Sequence, residues 1–160
     1  MIILIMGVAG AGKTTVGHAL AEQLHWSFAD ADDYHSPANV AKMRAGIALT
    51  DADRAPWLQS LRSVILEWIA AGENVVLACS ALKASYRDML VVSPEVKLVY
   101  LRITMDLAAE RVGARHGHYM NPTLLRSQFE ALQEPHDALT VEAGQSTEFI
   151  VANIRRAFAT

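Results

Sequence analysis

Gly7–Thr14 reads GVAGAGKT, with four unconstrained positions between its first glycine and a closing Gly-Lys-Thr. Glycines at such places let consecutive backbone N–H groups turn inward around an anion, because no Cβ stands in the way. Lys13 brings a positive charge to the end of the loop, and the Thr14 hydroxyl can reach a divalent cation. A loop of this kind grips the phosphates of a nucleoside triphosphate when it follows a buried strand and opens a helix. Gly7, Val8, Ala9, Gly10, Ala11, Gly12, Lys13, Thr14 and Thr15 are therefore the expected nucleotide contacts.

A second chemical group is DADDYH, which clusters Asp30, Asp32 and Asp33. A carboxylate beside a bound triphosphate can accept the proton of an attacking hydroxyl, and a neighbouring one can help hold Mg²⁺. His35 either hydrogen-bonds a substrate hydroxyl or serves as a surface or capping residue. Arg54, before Pro56 at the expected start of a helix, would stand near the mouth of the site, and its forked guanidinium suits a carboxylate. Lys83 and Arg87 share a helix face and either bind one anion together or form a solvated surface. His116 and His118 have no third ligand nearby, so no metal is expected there. Cys79 and the three tryptophans, Trp26, Trp57 and Trp68, read as packing residues.

These groups need a scaffold. Met1–Met6 (MIILIM) is a continuous apolar run, as a strand buried on both faces requires, and Val16, Leu20 and Leu24 recur at helical spacing from Lys13 onward. Ser27–Asp30, Asn74–Cys79, Val96–Leu101 and the weaker Leu139–Glu142 read as further strands. Between them, Leu58, Leu61, Ile65, Trp68 and Ile69 form one helical stripe, and Leu107, Arg111 and Val112 begin another that runs toward Arg115. Ile150, Ile154 and Phe158 mark a last helix. Strands alternating with helices predict an α/β fold: a five-stranded, parallel, doubly wound sheet with helices on both faces. This order puts the acids at the carboxyl end of a strand, where such sheets place their ligands. The polar, basic tract Gly113–Thr123 is the candidate for a mobile lid.

Composition narrows the possibilities. The 160 residues and 17.5 kDa suit one domain spanning 1–160, and 52% apolar against 19% charged residues excludes intrinsic disorder. A net charge of −3 offers nucleic acid no general attraction. The single cysteine excludes a disulfide framework and fits a reducing compartment, so the cytoplasm is expected. Met1–Met6 is far shorter than the ~20 residues that span a bilayer, and no Lys or Arg precedes it, so neither a membrane partner nor a signal peptide is expected.

The phosphate loop serves many enzymes. No N-K-x-D or D-x-x-G motif is present, and the Asn74–Cys79 strand ends in cysteine where a motor ATPase would carry aspartate, which disfavours GTPases and motors. A small-metabolite kinase needs the remaining features: an anion clamp, a base and a lid to exclude water. A non-catalytic ATP-binding switch is the alternative from another class, with the missing strand-end acid as its cue.

Taken together, GVAGAGKTT, DADDYH, AKMRAGIALTDADRAPWL, ACSALKASYRDML and ERVGARHGHYMNPTLLRSQFEALQEP resemble the bacterial-type gluconokinases over roughly Gly7 to Pro135. The resemblance implies the fold of the shikimate and nucleoside monophosphate kinases, ATP and Mg²⁺ as cosubstrate and cofactor, conversion of D-gluconate to 6-phospho-D-gluconate, and a homodimer. It implies that Gly7–Thr15 bind ATP, that Lys13 and Arg115 act on the transferring phosphoryl group and that Asp32 takes the hydroxyl proton. Thr14 and Asp30 would hold Mg²⁺, and Arg111 would lie by the adenine and the phosphates. His35, Arg54, Lys83, Arg87, His118 and Gln128 would contact the sugar acid. Related kinases acting on shikimate or a nucleotide are the nearest alternatives. The chain departs from the family pattern with Ala9 and Ala11 in place of serines, Ala31 in place of a glycine and Tyr34 in place of a leucine. A Cβ at position 31 disfavours positive φ there.

Overall fold

The computed structural model describes residues 1–114 and 121–160. Its centre is β1 (Ile2–Met6), in which all five residues are fully buried, as their unbroken apolar character demands. Hydrogen bonds run from β1 to β3 (Val75–Ala78) on one side and to β4 (Val96–Arg102) on the other. β2 (Ser27–Asp30) and β5 (Leu139–Glu142) form the two edges, giving a parallel sheet in the order β2-β3-β1-β4-β5. The expected strands are all present, with ends shifted by a residue at β1, β3 and β4.

Alternate residues of β1 point to opposite faces and seed two cores. Ile3 and Ile5 pack with α1 (Lys13–Leu24) and α7 (Thr147–Phe158), while Ile2, Leu4 and Met6 pack with α3 (Asp51–Ala70) and α4 (Ala84–Leu90). α5 (Met105–Gly113) and α6 (Pro122–Ala131) add Ala108 and Leu125 to the first core. α2 (Pro37–Arg44) follows a short 3₁₀ turn, Ala31–Tyr34, at the end of β2. Among the described residues no helix is long and apolar enough to cross a membrane.

The start of α3 differs from expectation. The helix begins at Asp51, not near Pro56, because Thr50 and Asp53 close a reciprocal capping box that satisfies the first free N–H groups. Pro56 thus lies inside the helix, and Arg54 belongs to its first turns. Of the lid candidate, Gly113 ends α5 and Pro122 opens α6. Residues 115–120, with Arg115, His116 and His118, lie outside the described residues.

Candidate active site

At the carboxyl ends of β1, β2 and β3 the chain encloses a cleft of about 310 Å³. Its register follows from the sheet: Asp30 pairs with Ala78, which pairs in turn with Ile5, so the acid and the start of the phosphate loop leave the sheet at one level. The cleft is lined by Gly10, Gly12, Lys13 and Thr14 on one side and by Asp30, Asp32, His35, Arg54 and Trp57 on the other.

The loop between β1 and α1 needs its glycines. Gly10 and Gly12 sit at φ +83° and +92°, and a Cβ on Gly10 would stand 2.9 Å from the Ala108 carbonyl oxygen. Gly12 is the N-cap of α1 and no side chain caps the helix, whose first turn borders the cleft through Lys13 and Thr14. Lys13 Nζ donates to the Val8 carbonyl at 3.0 Å, folded over the loop it serves. The Ala9 N–H donates to Gln128 Oε1 at 2.7 Å, which ties α6 to the loop.

Opposite, the Thr14 hydroxyl donates to Asp30 Oδ2 at 3.3 Å, and Asp30 Oδ1 accepts from the Asp32 N–H at 2.9 Å. One carboxylate thereby fixes the turn that presents the next. Asp32 keeps an opening to solvent, but protein surrounds the carboxyl on its other sides. That burial, followed by the Asp30 charge, lifts it above the usual carboxylate range, and Lys13 pulls part of the way back. Trp57 Nε1 donates to the Ala31 carbonyl at 2.7 Å and pins the same turn from α3. Ala31 does not take a positive φ, so its Cβ costs the acid loop nothing.

His35 stacks on Trp57 with ring centroids 4.3 Å apart. Burial and, after it, the nearby Arg54 charge push the imidazole down to about 4, which leaves it neutral at physiological pH. Arg54 reaches the cleft while donating to the Leu49 carbonyl at 2.8 Å and to the Tyr86 hydroxyl at 3.3 Å. Tyr86 in turn donates to Asp51, which also pairs with Lys83 at 2.9 Å. Cys79 closes the floor as an inert thiol, pushed up to about 12 by burial.

The structure separates Lys83 from Arg87. Lys83 caps α4 and faces Asp51, beside the cleft but outside its lining. Arg87 turns inward, where carbonyls of Ala81, Leu82 and Gln133 accept from its guanidinium, so it does not face the same way as Lys83. Arg111 donates to the carbonyls of Gly10 and Ala143 and lines a second recess beyond the loop, with Thr15, Gln145 and Thr147. Sequence reasoning missed the cleft positions of Trp57 and Ser80 and the bridging roles of Asn39, Asp51 and Tyr86. The tryptophan directly follows Pro56 in the Arg54 tract, a signal that was available.

Among the described residues no three His, Cys, Asp or Glu side chains form a metal cluster. The Thr14 hydroxyl and the Asp30 carboxylate nevertheless fit Mg²⁺, which binds one or two protein oxygens and completes its shell with phosphates and water.

A family model described as shikimate kinase matches residues 9–157. A probable gluconokinase of Mus musculus is 44% identical over 152 residues, covering 84% of this chain and 83% of its own. The thermoresistant gluconokinase of Escherichia coli K12 is 40% identical over 157 residues, covering 95% and 90%. A crystal structure of a gluconokinase from Sinorhizobium meliloti 1021 superposes with a TM-score of 0.86 at 40% identity, covering 98% of this chain and 90% of that one. With 40–44% identity to these relatives over 84% or more of its length, the chain belongs to the gluconokinase family.

Proposed function

We propose that this protein transfers the γ-phosphoryl group of ATP to D-gluconate, giving 6-phospho-D-gluconate and ADP. The observation that carries the reading is a single cleft lined both by the loop residues Lys13 and Thr14 and by Asp32, His35 and Arg54. Phosphate-binding groups and groups suited to a polyhydroxy acid meet there across a space sized for a small substrate.

The loop amides and Lys13 hold the triphosphate and offset the charge that develops on it. Arg54, with Lys83 beside it, attracts the gluconate carboxylate, and this anchors the far end of the sugar acid so that its terminal hydroxyl lies toward the phosphates. The hydroxyl oxygen bonds to the γ-phosphorus as the bond to the β-bridging oxygen breaks; ADP leaves, and Asp32 takes the hydroxyl proton. The raised affinity of Asp32 for a proton suits that role. Bound at Thr14 and Asp30, Mg²⁺ would neutralise phosphate charge. By resemblance, Arg115 would meet the transferring group, and His118 and Gln128 would complete the closed site.

A homodimer in the cytoplasm goes with this reading, supported by the family resemblance and by a lone cysteine that is buried without a disulfide. A screen of small hydroxy acids for stimulated ADP release tests the function. Gluconate should lead; shikimate or a nucleoside in its place would keep the kinase class and overturn the substrate.

A further inference from the structure

Asn39 is one of two buried polar or charged residues among those described. It lies in α2, outside the cleft lining, and its side-chain amide touches the segments that carry His35 and Arg54. Nδ2 lies 2.9 Å from the backbone carbonyl oxygen of Asp53 and 3.3 Å from Nδ1 of His35. The Asp53 carbonyl has no proton to give, so it fixes the amide orientation: the NH₂ group must face it, since a flipped amide would set two oxygens against each other. The second N–H of that NH₂ group then points at His35 Nδ1, which can only accept. The ring proton is left on Nε2.

The surroundings hold this arrangement. His35 is stacked on Trp57, and a proton on Nδ1 would face the Asn39 NH₂ group with the Arg54 guanidinium nearby. Asp53 is itself clamped by Lys42 at 2.9 Å and by the Thr50 capping box, so the carbonyl that orients Asn39 does not drift. The residue after Asp53 is Arg54. A single amide therefore links the two cleft residues suited to a sugar acid, His35 and Arg54.

We propose that Asn39 is a positioning residue for the phosphoryl acceptor: it holds His35 as the Nε2–H tautomer, so that the ring offers the cleft a neutral hydrogen-bond donor for a substrate oxygen. The inference rests on the functional reading above. It divides the work at the acceptor: Asp32 accepts a proton, His35 donates a hydrogen bond without competing for that proton, and Arg54 supplies charge. A sugar-acid hydroxyl can satisfy such a donor through its lone pairs, whereas a deoxy analogue leaves it unpaired.

Nitrogen NMR on protein labelled at histidine tests this first in the wild type, with the His35 signal identified by its loss in His35→Gln. The expected pattern is Nε2 protonated and Nδ1 bare at neutral pH. Asn39→Leu should mix the tautomers and raise the KM for gluconate about tenfold or more, while the KM for ATP stays unchanged. His35→Gln, whose NH₂ group can replace the Nε2–H donor, should keep most of the gluconate affinity that His35→Leu loses. An Nδ1–H tautomer in the wild type overturns the proposal, as does equal damage from the Gln and Leu variants. Should Asn39→Leu not fold, the wild-type spectrum and the two His35 variants still decide. A wild-type enzyme that ignores gluconate contradicts the proposed substrate, and the tautomer measurement stands apart from that result.

Discussion

The Thr14 hydroxyl lies 3.3 Å from the Asp30 carboxylate, so the first turn of α1 and the end of β2 meet at one point. In the proposed reading, that point joins the nucleotide half of the cleft to the acceptor half. Asp30 serves both, because its other oxygen holds the turn that presents Asp32.

Asp30→Asn should therefore do two kinds of damage. Loss of charge weakens Mg²⁺ binding, so the Mg²⁺ concentration for half-maximal turnover should rise, and kcat should fall by about 10-fold or more. Thr14→Ala should raise the Mg²⁺ requirement while leaving the Asp32 turn in place. A magnesium titration of steady-state rate separates the two variants; identical profiles for wild type and Asp30→Asn would remove Asp30 from the metal.

In the proposed mechanism Asp32 acts as a base only when ionised, and its affinity for a proton is raised. The acid limb of the kcat/KM profile should then lie above the ordinary aspartate range, with activity lost as pH falls through it. Asp33 contributes to the upward push, so Asp33→Asn should move that limb to lower pH. Asp32→Asn should lower kcat by about 10² or more with ATP affinity nearly intact. Because the folded state disfavours the Asp32 charge, the same change should raise the melting temperature at neutral pH.

Gly10→Ala tests the loop. The new Cβ would meet the Ala108 carbonyl oxygen at 2.9 Å, and a φ of +83° is costly for any L side chain. A loss of about 1–2 kcal/mol from the backbone alone is expected. Calorimetry should also show ATP binding weakened, since relief of the clash moves the amides that face the phosphates.

How much of this was legible in the residues depended on burial. β1 is buried on both faces, and a run such as IILIM has few other places to go; the loop and the start of α1 at Lys13 followed from the motif and its context. α2 gave no apolar stripe, because Asn39 is its buried residue, and a polar helix leaves no periodic signal. Pro56 suggested a helix start, while the Thr50–Asp53 box placed that start upstream. The four-residue spacing of Lys83 and Arg87 could not reveal the partners of Arg87, since Gln133 comes from a distant part of the chain. Asp51, before Arg54, gave no hint of Tyr86 and Lys83 for the same reason.

The capping box offers a stability test that also reads on the site. Thr50→Ala should cost about 1 kcal/mol and lower the melting temperature by about 2–4 °C. Since Asp53 also orients Asn39 and precedes Arg54, the gluconate KM should rise with it, which a purely remote loss of stability would not do.

The central claim is that one cleft brings the end of ATP against the terminal hydroxyl of gluconate. Proton-coupled phosphorus NMR of the enzyme with Mg²⁺, ATP and D-gluconate tests it directly. The account predicts loss of the γ-phosphate signal and growth of a monoester split by the two protons of a CH₂–O group. Release of inorganic phosphate alone, or a monoester on a secondary alcohol, would contradict it.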